Sequence, residues 1–354
     1  MKRAAAAILL LAACTAQAQG ITSLTVALGQ SAPLSGASQT LGEDLRNGAL
    51  AYFRMLNDAG GVHGRRIELA TLDDGGDAKR ALANTQRLVE QLRVFALLAY
   101  AGPSLSGELL AYVQQSRAPL FAPATGAELA RLPGRSVVTV RASHAEELDQ
   151  AVEHYARLGL KRFALATGDE AMDAESREAF ARALKKRGLS PAANHGEADV
   201  ILVLAALQPA ADLVAKLKRS RPAAQIVVLS LAEAAPLASM LGRDGAGVVL
   251  SMVVPPLDRI SLPLVADYRV AIEAETGRKA YSAASLEAYI GAKVFAEAVR
   301  RAGPALTREA LMKALESMSA YDAGGYVLNY GRGDRQGSSR SELAVIGRDG
   351  KLLH

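Results

Sequence analysis

Short apolar runs alternate with longer amphipathic stretches from residue 24 almost to the C-terminus. LTVALG (24–29) reads as a strand. GEDLRNGALAYFRMLNDA (42–59) reads as a helix with Leu45, Ala49, Tyr52, Phe53 and Leu56 on one face. Thr40 and Glu43 have the T-x-x-E spacing of a capping box at its start, and Gly60-Gly61 ends it. RIELATLDD (66–74) predicts a second strand, 78–92 a helix and VFALLAY (94–100) a third strand. The loop AYAGPSLSGELL (99–110) opens a helix that runs to about 116, and APLFAPA (118–124) and TGAELARL follow.

After the connecting strand SVVTVRAS (136–143) the pattern restarts with the helix HAEELDQAVEHYARLG. RFALATG (162–168), a helix near 174–187, DVILVLAAL (199–207), ADLVAKLKR and QIVVLSLA (225–232) continue it. GVVLSMVVPPL (247–257) is a second connector, because Pro255-Pro256 breaks any strand ladder. Helices at 261–276, 283–302 and 308–318 come next, then YVLNY and SELAVIGRDGKLL as two closing strands. Repeated strand–helix units of this length build parallel sheets covered by helices on both faces. The expected fold class is α/β, two doubly wound parallel-sheet lobes joined by a multi-strand hinge. Residues 21–141 plus 257–325 would form the N-terminal lobe, and 142–256 plus 326–354 the C-terminal lobe. The carboxyl ends of the strands would face the cleft between them, where open α/β sheets bind ligands.

Composition agrees with two domains: 354 residues, 50% hydrophobic and 5% aromatic with no Trp. Residues 1–18 read as a signal peptide, with Lys2 and Arg3 ahead of an apolar stretch and Ala16-Gln17-Ala18 as a small-x-small cleavage site. Leu11-Ala12-Ala13-Cys14 also has the form of a lipobox, which would make the protein a lipoprotein tethered through Cys14 rather than a free periplasmic one. Either way no cysteine remains in the folded part, which excludes disulfide and Cys-metal chemistry. Without Lys2 and Arg3, 39 basic residues stand against 36 acidic ones, a net charge of +3 spread along the chain. KKR (185–187) and KRSR (218–221) lie near helix ends and lack interleaved aromatics, so nucleic acid is not an expected partner. His63, His144, His154, His195 and His354 show no metal-ligand spacing. GQSAPLSG and GPSLSG match neither a dinucleotide fingerprint nor a P-loop, so no nucleotide cofactor and no enzyme activity are expected.

The stretches PLSGASQTLGEDLRNGALAYFRMLNDAGGVHGRRIEL with TLDD, GPSLSG, APLFAPATGAEL, VRAS, SMVVPPL, SLEAYIGAKVFAEAVRRAG and TREALMKALE occur in that order. In this the chain resembles the type I periplasmic solute-binding proteins of the branched-chain amino acid (leucine/isoleucine/valine-binding) class. The resemblance implies a type I periplasmic binding protein fold and a monomeric receptor for a small carboxylate-bearing solute, an amino acid or related organic acid. It also implies an inner-membrane ABC permease as partner and hinge motion through connectors near 141–144, 253–256 and 321–326. A ligand-sensing partner of a signalling receptor is the alternative on the same fold.

By the same resemblance, Ser104 and Ser106 in one loop and Ala124, Thr125 and Gly126 in the next hold the ligand's carboxylate. Each loop ends a strand and opens a helix, offering free N–H groups, hydroxyls and a positive helix end. The competing reading makes Ser104 and Thr125 caps of their own helices. Tyr100 would line the cleft floor, and His144 would edge the cleft or lie on the surface. The opposing lobe departs from the family pattern: Gly168-Asp169-Glu170 and Ala206-Leu207-Gln208 stand where amino-acid binders carry aromatics. Asp169 and Glu233 remain as candidates for a ligand ammonium, with Leu231 in the place of Glu233 if the register slips by two. The segment before DVILVL is short, as though a helix were missing.

Overall fold

The structure, a computed structural model, describes residues 19–132, 134, 136–168 and 170–354, with the backbone alone for 103 and 170–173. The signal-peptide reading, Cys14 and Asp169 lie outside these described residues. The first lobe is laid down by β1 (Thr25–Ala32), α1 (Gln39–Asp58), β2 (Arg66–Asp73), α2 (Ala78–Gln86), β3 (Ala96–Leu98), α3 (Gly107–Ser116), β4 (Leu120–Phe121) and β5 (Val137–Val138). The strands pair in parallel in the order β2-β1-β3-β4-β5.

The second lobe contains α4 (His144–Arg157), β6 (Phe163–Thr167), α5 (Glu170–Lys185), β7 (Val200–Leu204), α6 (Leu207–Ser220), β8 (Gln225–Val228), α7 (Ala234–Leu241) and β9 (Val249–Met252). Between α5 and β7 only a single 3-10 turn, His195–Glu197, interrupts the chain. The chain then returns to the first lobe with α8 (Pro263–Thr276), α9 (Ala283–Ala302) and α10 (Arg308–Glu316). The hairpin β10 (Tyr321–Asp322) and β11 (Val327–Leu328) follows, and β12 (Glu342–Ile346) with β13 (Leu352–Leu353) closes the second sheet in the order β13-β12-β9-β8-β7-β6. β6 to β9 are parallel, while β12 and β13 join antiparallel. Both structural expectations of an α/β, two-lobe molecule hold.

The start of α1 differs from expectation. Its N-cap is Ser38, with no side-chain cap, so Thr40 already lies inside the helix. Glu43 instead accepts from the Gln39 amide at 2.9 Å. A capping box does form at α4: Ser143 Oγ accepts from Glu146 N at 3.1 Å, and Ser143 N donates to the Glu146 carboxylate at 2.7 Å. That cap fixes where the chain leaves the hinge.

α9 is the central helix of the first lobe, with fifteen of its twenty residues buried. A helix apolar nearly all round has no solvent face to present and becomes core. It crosses α1 so closely that a Cβ on Gly48 would lie 1.9 Å from Ser285 O. The hinge strands are tied by Tyr326, whose hydroxyl donates to Val140 O at 2.9 Å and Val253 O at 3.1 Å.

Candidate functional site

Three strand ends approach the seam between the lobes, and each is followed by a non-glycine residue in the left-handed region. These are Ala99 (φ 53°) after β3, Ala122 (φ 46°) after β4 and Glu233 (φ 56°) in the loop after β8. Such backbone costs free energy and persists where its surroundings dictate it, commonly at ligand sites. The turns at Ala99 and Ala122 aim two loops at the seam and knit them: Ala101 bridges Ala124 in parallel, and Ala124 N donates to Tyr100 O at 2.9 Å.

Within these loops the anticipated residues separate into two groups. Ser106 is the N-cap of α3, accepting from Leu109 N at 3.1 Å. Thr125 Oγ1 accepts from Ala127 N at 3.2 Å, a local turn bond. Tyr100 turns into the core of its lobe, fully buried, with its hydroxyl 3.1 Å from Thr85 Oγ1; burial pushes that hydroxyl well above its usual range. Ser104 is different. It is 0% exposed and its hydroxyl has no hydrogen-bond partner within the protein, so it caps nothing. An unpaired buried hydroxyl is costly enough that it calls for an explanation.

Gly126 is where the loop meets the hinge. Its carbonyl accepts from His144 N at 2.8 Å, and a Cβ there would lie 2.4 Å from the His144 ring. His144 is thereby buried at the seam, with Nδ1 3.3 Å from Glu147 Oε1.

Glu147 is the centre of a buried charged network. Ser230 donates to it through its backbone N–H (2.9 Å) and hydroxyl (2.6 Å), and Ser251 through its hydroxyl (2.6 Å). Arg141 Nη2 adds a contact at 3.5 Å. Burial alone would raise its carboxyl, but His144, Arg141 and Ser230 outweigh that and hold it at about 2. Arg141 also reaches Ser230 Oγ and, through Nη1, Glu287 Oε2 on α9 at 3.5 Å. One guanidinium at the hinge therefore links α9 of the first lobe to α4 and the β8 loop of the second. Arg131 stands behind it, donating to the carbonyls of Thr125 (3.2 Å), Ala127 (3.1 Å) and Arg141 (3.2 Å). A second crossing joins Glu128 N to the Glu175 carboxylate of α5 at 2.8 Å.

On the second-lobe side Glu233 is partly buried. Desolvation and then the carboxylate of Asp44, on α1, push its carboxyl up, while Arg141 pulls it down. Leu231 packs against the second lobe's core, whereas Glu233 lies within electrostatic reach of Asp44 on α1. Arg141, Glu147, Glu287, Arg131 and Asp44 were not anticipated from the sequence. The available signal was a charge on an apolar helix face: Glu147 beside Leu148, Ala151 and Val152 on α4, and Glu287 within α9.

Among the described residues, the side-chain atoms buried at this seam without a partner include Ser104 Oγ, Arg131 Nε and Glu287 Oε1, and also Glu128 Oε1. The first two can donate and the carboxylate oxygens can only accept once ionised. The Asp73-Asp74 pair, by contrast, is fully engaged in a turn. Asp73 accepts from Leu34 N and Gly75 N, and Asp74 from Ser31 Oγ and Gly76 N.

Comparison with known proteins matches the geometry. Residues 25–194 and 190–351 match the model of the family described as periplasmic binding protein. A possible leucine/isoleucine/valine-binding protein from Rhodopirellula baltica SH 1 superposes with a TM-score of 0.81 at 26% identity, over 94% of this chain and 96% of that one. A substrate-binding periplasmic protein from Ralstonia solanacearum gives 0.79 at 29% identity, over 93% and 99%. A fatty acid ABC transporter substrate-binding protein from Thermomonospora curvata shares the fold at 0.78, with 20% identity over 95% of this chain and 92% of that one. An amino acid binding protein of Pseudomonas aeruginosa is 35% identical over 75 residues, which is 21% of this chain and only 20% of that protein's length. With two doubly wound lobes, a hinge of several crossings and family sequence across both lobes, this chain belongs to the periplasmic binding protein family.

Proposed function

We propose that this protein is an extracytoplasmic receptor that closes its lobes on a small carboxylate-bearing solute, an amino acid in the first instance, and delivers it to an inner-membrane ABC permease. The observation that carries this reading is the orphaned hydroxyl of Ser104, buried in a loop that ends β3 and opens α3. A carboxylate seated there would accept from that hydroxyl and from Arg131 Nε, relieving two unpaired donors. Ala124, Thr125 and Gly126 would form the neighbouring wall, their small side chains letting a ligand approach the backbone. Glu233, facing from the second lobe, would hold the ammonium. The names of the Rhodopirellula and Pseudomonas relatives favour an amino acid. The Thermomonospora relative shows how far ligands diverge on one fold.

A thermal-shift screen of the mature chain against aliphatic, aromatic and acidic carboxylates tests the reading. A true ligand at 100 times its Kd adds about 2.7 kcal/mol to stability. If no carboxylate moves the melting temperature, the reading fails.

A further inference from the structure

The strands of the second sheet frame a cavity at their amino ends, opposite the seam. Arg162 stands just before β6, Asp199 just before β7, Gln225 opens β8 and Val248 stands just before β9, and all four line a space of about 540 Å³. The five residues of β6 separate this end from the seam, about 16 Å at the rise of a strand. The KRSR stretch that ends α6 completes the wall with Lys218 and Arg221.

Each of the three cations keeps donors in reserve. Lys218 gives one N–H to Ala246 O at 2.6 Å. Arg221 gives Nη2 to Ala198 O at 3.1 Å, while its Nε is buried without a partner. Arg162 reaches Asp199 through Nε and Nη2, which leaves Nη1 over. Asp199 is the one acidic residue among the described residues of the wall, so two positive charges stand unmatched there. The carbonyl end of α6 offsets about half a charge of this. Outside the wall Glu197 acts on Arg162, and the exposed Lys161 and Arg219 flank it in the chain. Leu160 and Pro222 give the cavity an apolar side.

From this we propose that the far end of the second lobe binds a phosphate monoester, its phosphoryl group set among Lys218, Arg221 and Arg162 and its organic body against Leu160 and Pro222. A phosphate ester brings close to two negative charges near neutrality, the number the wall leaves unmatched, where a carboxylate brings one. Guanidinium forks suit its oxygens, and Lys218 adds a point charge. The site lies within one lobe, so filling it does not require closure.

Isothermal titration of the intact mature chain with glycerol 3-phosphate tests this, with acetate and glycerol as controls. One site per chain is expected, at least about tenfold tighter for glycerol 3-phosphate than for acetate. Lys218→Gln and Arg221→Gln should each weaken it at least about tenfold, while Lys313→Gln, an equal charge change on α10 of the first lobe, leaves it unchanged. Affinity should also rise from about pH 5 to about pH 7 as the ester loses its second proton, since the described wall holds no histidine. No binding of glycerol 3-phosphate, equal affinity for acetate, full affinity in both wall variants, or an equal loss in Lys313→Gln would overturn the proposal. Arg221-dependent co-sedimentation with vesicles containing phosphatidic acid would keep the site and assign it to a lipid headgroup; glycerol 3-phosphate binding without vesicle binding assigns it to a free ester. Circular dichroism and melting establish that each variant folds. Should Arg221→Gln fail to fold through loss of its Ala198 contact, Lys218→Gln and Arg162→Gln decide.

Discussion

Two glutamates that share one arginine have opposite fates. Glu147 is surrounded by donors and lies at about 2, whereas Glu287 is pushed by burial to about 7, with Arg141 and Arg131 pulling it down and Glu233 and Glu147 pushing it up. The consequences for stability run in opposite directions. Glu147, depressed below its unfolded value, stabilises fully above about pH 4.5 and loses that contribution as pH falls toward 2. Glu287, raised above its unfolded value, contributes fully below about pH 4.5 and loses its contribution as pH rises through about 7. Melting of wild type against Glu147→Gln should therefore show a gap of about 3 kcal/mol near neutrality that closes as pH falls from about 4.5 to 2. A gap that does not change over that range would mean that Glu147 is not ionised at the seam.

At the scale of elements, the site is made where strands end. β3 and β4 stop after three and two residues, each followed by a left-handed alanine that turns its loop toward the seam. This much was legible in the sequence, because small residues after an apolar run mark a strand-to-helix loop. Which hydroxyl is free was not. Ser106 and Thr125 also carry hydroxyls in strand-to-helix loops, and only the folded backbone shows that both are spent on local N–H groups. The capping box expected at Thr40 failed because α1 begins earlier, at Gln39. Packing of α9 on α1 also depends on a detail that composition hides. Gly48→Ala should cost more than about 2 kcal/mol in denaturant unfolding, since its methyl group would strike the Ser285 carbonyl of the helix that forms the core. A variant as stable as wild type would show that the two helices can separate freely.

For the whole molecule, the alternation of strands and helices and the two-lobe plan could be read along the chain, because each βα unit is local. The seam could not. Asp44, Arg131, Arg141, Glu147 and Glu287 come from several stretches, and their meeting with Glu233, which the sequence did offer, follows from how the lobes close. Only the places where charge interrupts an apolar helix face hinted at it. The lobes touch through Arg141 and through the Glu128–Glu175 contact, so that a solute held there would contact both lobes and favour the closed form by its contacts to each. A cavity of about 540 Å³ lies instead at the far, strand-start end of the second lobe, beside Arg162, Lys218 and Arg221.

The central claim is that the Ser104 loop holds the carboxylate of a solute bound between the lobes. Isothermal titration of the best amino acid from the screen into wild type and Ser104→Ala tests it most directly. One site per chain is expected, with affinity at least about tenfold weaker in Ser104→Ala, while the ligand-free variant melts no lower than wild type because the lost hydroxyl had no partner. Unchanged affinity in Ser104→Ala, or binding at more than one site per chain, would contradict the account.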